Sequence, residues 1–144
     1  MQKMLLFACA CLVLACGPQP SRPADPLSGA VIRHQPDVPV PLNFNYMPDR
    51  SRVETFSTFR VCEMVYESTA DARHGVTAIF DFYTRLMPAY DWSAADGPAG
   101  KDTLMFKKNG KDDEFCRVKV WRQGKLTTIY ILIGNAQLTQ AKDA

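Results

Sequence analysis

Histidine is nearly missing from this chain, and several other absences narrow what it can be. His34 and His74 are the only two, and neither has a cysteine or carboxylate at ligand spacing, so no zinc-site pattern forms. His34 falls among prolines and His74 in the first turn of an expected helix, where the dipole disfavours a cation. Both read as solvated side chains. No Cys-x-x-Cys occurs, and no Gly-x-Ser-x-Gly, Walker or Rossmann spacing, so the sequence nominates no catalytic residue, metal or cofactor. Charge of one sign is not in excess either: 17 basic residues stand against 15 acidic ones, which gives no pull toward nucleic acid. Long apolar runs are absent. The run over residues 4–14 has 11 residues, 13 with Ala15 and Cys16, whereas a membrane-spanning helix needs about 20.

What is present begins with that run. Lys3 precedes it, and it ends at Val13-Leu14-Ala15-Cys16-Gly17. A short basic start followed by an apolar run of this length has the form of a secretory signal. Its end resembles the lipobox of bacterial lipoproteins: an aliphatic residue, a tolerated residue, a small residue, then Cys. The resemblance implies that Cys16 is acylated and becomes the new N-terminus. Leu14 is bulkier than the residue usual at its place. The rival reading is a plain signal cut near Ala15; the position of Cys16, where apolar residues give way to a Gly/Pro stretch, favours the lipoprotein. A residue other than Asp at position 17 implies, by the same resemblance, the outer membrane of a double-membraned cell. Several acyl chains together give stable anchoring.

Residues 16–41 read as the acylated cysteine and a tether. Seven of the ten prolines lie in 17–41, and proline lacks the amide that a helix or ladder needs. Fully extended in polyproline II form, this stretch reaches at most roughly 75 Å. The folded domain is expected over 42–136 and a polar tail over 137–144, and a chain beginning near Val38 is expected to fold. After processing, the domain keeps two thiols, Cys62 and Cys116. An even pair in an exported chain is expected to form a disulfide. That requires Cα atoms about 4.4–6.8 Å apart, hence strands that are neighbours or nearly so. Otherwise the two are small core residues.

Hydrophobic periodicity gives the fold class as α+β, in two layers, with one helix on an antiparallel sheet of about five strands in the order β-α-β-β-β-β. A strand over 55–67 sets Phe59, Val61 and Val65 on one face and Cys62, Met64 and Tyr66 on the other. Thr69 or Asp71 offers an N-cap. A helix over 73–87 turns Val76, Ile79, Tyr83, Leu86 and Met87 to the sheet and stops at Pro88. Strands over 90–95, 102–108, 114–122 and 125–133 follow, separated by 96–100, Asn109-Gly110 and Gln123-Gly124. Asn-Gly predicts a tight type I′ hairpin. Lys107, Arg117 and Lys119 alternate with apolar residues, so one sheet face is expected to be wet.

Residues 82–92, Phe-Tyr-Thr-Arg-Leu-Met-Pro-Ala-Tyr-Asp-Trp, together with that element order, resemble a loose group of small bacterial exported domains. A more distant likeness is to the helix-grip domains of accessory lipoproteins in outer-membrane protein assembly. Neither resemblance brings catalytic residues. Asp112-Asp113-Glu114 lacks the ligand spacing of a calcium loop and reads as a charged hairpin tip. Lys107, Lys108, Lys111, Arg117, Lys119 and Arg122 read as a solvated basic face, and Phe80, Phe82, Tyr83, Tyr90 and Trp92 as the seam between helix and sheet. The expected function is a non-catalytic envelope lipoprotein, joined to the membrane by its lipid and to a protein partner by its domain. The alternative is a module that grips a small amphiphile near Val76, Tyr83 and Phe106.

Overall fold

Three nine-residue strands, each setting apolar residues at every second position on one face, build the middle of the sheet. The computed structural model describes residues 30–31, 35–69, 75–96 and 100–140. Short strands β1 (Ala30–Val31) and β2 (Val40–Pro41) pair with each other, and β3 (Asn45–Tyr46) and β4 (Arg52–Thr55) both pair with β5 (Arg60–Ser68). Helix α1 (Val76–Leu86) and a 3-10 turn at Met87–Tyr90 lead into β6 (Trp92–Ala94), β7 (Thr103–Lys108), β8 (Phe115–Gln123) and β9 (Leu126–Gly134). The large sheet runs β3-β5-β9-β8-β7-β6, with β4 beside β3 on the margin of β5, and every pairing is antiparallel. The fold is mixed α+β around this antiparallel sheet.

Register carries the core. Val53, Cys62, Ile133, Cys116, Phe106 and Ala94 stand in one cross-strand row. Met64, Ile131, Val118 and Leu104 form the next, and Tyr66, Ile129 and Val120 another. Against these rows α1 buries Ile79, Phe82 and Tyr83, followed by Met87 and Trp92, all 0% exposed. The expected inward helix positions 79, 83 and 87 are buried as read; Val76 and Leu86 are partly buried beside the core. The helix opens after Gly75 with no side-chain cap, so Thr69 does not cap it, and Asp71 lies outside the described residues.

Four expectations are corrected. The tether does not extend to 41: Val38 and Val40 join the core cluster, and Val40–Pro41 is a strand despite its proline, which a two-residue edge pairing tolerates. The tail is not wholly frayed, because Ala136–Gln140 forms a short helix, α2. Leu138 of α2 packs over Gly134, 3.4 Å from where a side chain there would begin. Asn109-Gly110 is not a two-residue hairpin. Gly110 alone takes a positive φ there, 75°, and the ladder resumes with Lys108 donating its amide to the Glu114 carbonyl. Finally, the second sheet face is not simply wet, since Arg117, Leu132, Val65 and Met105 on it are buried.

The expected disulfide is also absent. Cys62 and Cys116 are free, buried thiols, each opposite Ile133 but on its two different flanks. Two strand spacings put their Cα atoms about 10 Å apart, beyond the reach of a bridge. Burial pushes both thiols up from their ordinary range, so neither is a ready nucleophile. They are small core residues.

Candidate functional site

One row beyond Cys62 and Cys116 the inner face changes character. Arg60 precedes Cys62 by two positions on β5, Glu114 precedes Cys116 by two, and Lys108 ends β7 opposite Trp92. Charges therefore arrive at the end of the sheet in the register that delivers methyl groups elsewhere. Asp37 meets them from the segment before β2. Its Oδ1 accepts from Arg60 Nη1 at 2.9 Å and its Oδ2 from Arg60 Nη2 at 2.6 Å, a bidentate fork matched to guanidinium geometry. Nη2 also reaches Glu114 Oε1 at 2.8 Å, and Nη1 reaches Gln35 Oε1 at 2.8 Å. Lys108 Nζ donates to Asp37 Oδ2 at 2.9 Å and to the Tyr90 carbonyl at 2.8 Å. Lys111 Nζ closes the group on Glu114 Oε2 at 2.9 Å.

Trp92 lies at the base of this cluster. Its indole N–H donates to the Asp37 carbonyl at 2.8 Å. Lys108 Nζ sits 4.9 Å from its ring centre and the Arg60 guanidinium carbon 5.9 Å, within cation–π range. Burial raises the Asp37 carboxyl, but hydrogen bonds and charge from Arg60 and Lys108 outweigh it and hold the group at about 2. Burial works against the charged Arg60 as well, and Asp37 and Glu114 keep it protonated. A carboxylate held that low is poorly matched to general acid–base work near neutrality. The cluster is a clamp.

Beside the clamp opens a hollow of about 400 Å³ lined by Thr58, Phe59, Arg60, Lys111, Asp112, Asp113, Glu114, Gly134 and Asn135. Its rim is the β4–β5 turn, where Phe56 donates its amide to the Phe59 carbonyl at 2.8 Å. The two rings stack with centroids 4.5 Å apart, and each residue is 47% exposed. A second hollow, about 360 Å³, lies on the opposite sheet face among Arg117, Lys119, Trp121 and Tyr130.

Of the residues singled out by sequence, Cys16, His34 and His74 lie outside the described residues. Asp112-Asp113-Glu114 divides: Glu114 is buried in the clamp, while Asp113 accepts the Ala136 amide at 3.2 Å and so holds α2. The six basic residues do not form one solvated face. Lys108 and Lys111 join the clamp, Arg117 is buried on the other face, and Lys107 and Arg122 are exposed. Tyr83 and Phe106, nominated to line an amphiphile site, are packed into the core. Sequence reasoning missed Asp37, Arg60 and the Phe56–Phe59 tip; a charge at an inward strand position, Arg60, was the one available signal. Among the described residues no helix is long and apolar enough to cross a membrane, and no group of three His, Cys, Asp or Glu is placed to hold a metal ion.

No family model, curated protein or solved structure matches this chain.

Proposed function

We propose that this chain is a lipoprotein of the bacterial cell envelope, anchored through Cys16 in the outer membrane and facing the periplasm, whose domain is a non-catalytic module that binds a protein partner. The observation that carries the second half is the Phe56–Phe59 pair. Two large aromatic side chains half in water, stacked on a turn beside a hollow, resemble the anchors around which protein interfaces are built. The clamp gives the tip a rigid base: Arg60, the next residue after Phe59, is tied to Asp37 and Glu114. The two-layer β-α-β-β-β-β unit then acts as the holder, and the Pro-rich residues after Cys16 as the line that lets it reach a partner. The signal and lipobox resemblance carry the anchor. A small amphiphile between helix and sheet finds no support, because the side chains nominated for it fill the core.

A photo-crosslinking amino acid at Ser57 or Thr58, in cells, tests the module. A discrete protein adduct is expected from these positions and not from Asp81 on the exposed side of α1, and Phe56→Ala with Phe59→Ala should remove it. The same adduct from Asp81, or none from the tip, would sink the reading. For the anchor, Cys16→Ser is expected to abolish incorporation of labelled fatty acid; unchanged labelling would overturn the assignment.

A further inference from the structure

Strand β4 lies on the margin of the sheet, and among the described residues its partner is β5. Its backbone phase follows from one hydrogen bond. Because Phe56 donates to the Phe59 carbonyl, the alternation of an antiparallel ladder makes Glu54–Val61 and Arg52–Glu63 the bonded pairs. The amide and carbonyl of Val53 and Thr55 therefore point away from β5, toward the sheet margin. Val53 is 43% exposed. Arg52 and Glu54 project together from the other face, where Arg52 Nε donates to Glu54 Oε1 at 2.8 Å, and their side chains are 72% and 39% exposed.

We propose that this margin pairs with the same margin of a second copy of the chain, antiparallel, with Val53 opposite Val53 of the second copy. Phase and charge select this register together. Opposed residues in an antiparallel ladder both point their backbone groups inward or both outward, so Val53 can face Ser51, Val53 or Thr55 of the other copy but never Glu54. Facing Ser51 would set Arg52 against Arg52. Val53 opposite Thr55 would set Glu54 against Glu54, like charges directly opposed. Val53 opposite Val53 instead sets Arg52 against Glu54 and Glu54 against Arg52. The internal Arg52–Glu54 pair of each copy then becomes half of a closed ring of four alternating charges. Two-fold symmetry requires such a self-complementary patch, and the segment Arg52-Val53-Glu54 is one. The ladder is short, because the Ser51 amide is already bonded to the Pro48 carbonyl. Pairing is thus weak in dilute solution and favoured when anchors concentrate copies on one surface. This inference concerns the backbone of β4 and does not rest on the partner assigned to the aromatic tip.

Differently tagged full-length chains carrying Arg52→Cys and Glu54→Cys, coexpressed in a bacterial host, provide the test. Residues 52 and 54 of the two copies form a non-bonded pair with Cα atoms about 4.5 Å apart, within disulfide reach. Mild oxidation of membranes is expected to join the two tags, with several-fold less dimer from either variant alone. Dimer from Glu54→Cys alone would overturn the register. Absence of dimer from the mixture, or adducts with another protein in its place, would overturn self-pairing. Charge reversal gives a second measurement without new thiols. Arg52→Glu and Glu54→Arg should each abolish co-purification of tagged copies, and coexpressing the two should restore it; single variants that still co-purify, or a mixture that does not, would refute the pairing.

Discussion

Two neighbouring rows of one sheet face make the informative comparison. In the first, Val53, Cys62, Ile133, Cys116, Phe106 and Ala94 follow one another across the strands. From Cys62 to Phe106 its members are neutral and at most 3% exposed. In the next, Arg60, Glu114, Lys108 and Trp92 occupy the same face, and Asp37 arrives from outside the sheet to complete them. The first row excludes water, whereas the second is partly buried, with the Arg60, Lys108 and Asp37 side chains 15%, 14% and 22% exposed. The first is closed by apolar volume alone, so each residue contributes in proportion to the surface it hides. The second buries ions that are tolerable only as a set, because a charge left in such a place without its partner costs far more than a lost contact. One row is a sum of parts and the other a network.

Breaking the network should therefore show the largest effect. Arg60→Leu leaves Asp37 and Glu114 facing each other without their shared cation, and a loss of about 3–5 kcal/mol is expected in urea unfolding. A loss under about 1 kcal/mol would mean that the carboxylates escape to water, contrary to their placement. Cutting the neighbouring apolar stack at Ile131→Ala is expected to cost about 2–4 kcal/mol by the same measurement, with Ile131→Val near 1 kcal/mol. A graded response there, against an all-or-none response at Arg60, is the sharpest form of the contrast.

Acid probes the network without mutation. The Asp37 carboxyl is held at about 2 in the fold, against an ordinary value of 3.8. A depressed acid stabilises fully above its unfolded value and loses that contribution as pH falls through the folded one. Stability should accordingly drop by up to about 2 kcal/mol between pH 4 and pH 2, and Asp37→Asn should remove most of that dependence. The smallest effect belongs to the thiol row. Reductant should leave the unfolding midpoint unchanged, and Cys62 and Cys116 should alkylate only after denaturation, as two free thiols; a mass loss of two hydrogens on oxidation in the native state would contradict the strand order.

The pattern-bearing elements are legible in the residues themselves. The faces of β5, the inward positions 79, 83 and 87, and the four later strands follow from periods of two and 3.6. The single strand expected over 55–67 is corrected, because Thr55 ends β4, the chain reverses at Phe56–Phe59 and β5 begins only at Arg60. The clamp is not legible in this way, because its members are single charges at positions 37, 60, 108, 111 and 114, and all but the inward-facing Arg60 are indistinguishable from solvated residues until the register sets them together. Asp37 is hidden further by its setting among prolines, which read as a tether. The Phe56–Phe59 tip escapes for the opposite reason: its rings count as core by composition, and exposure is a property of the finished surface.

By itself the sequence determined the alternation of the long strands, the helical stripe of α1 and its stop beside Pro88, since each is written in adjacent residues. Only the tertiary structure decided which strands neighbour which. Local chemistry sets the face a residue takes, but strand order and register set its company. Placing β9 between β5 and β8 separated Cys62 from Cys116, and the same placement set Arg60 within reach of Glu114, because Arg60 is long enough to span a strand that two cysteines cannot bridge.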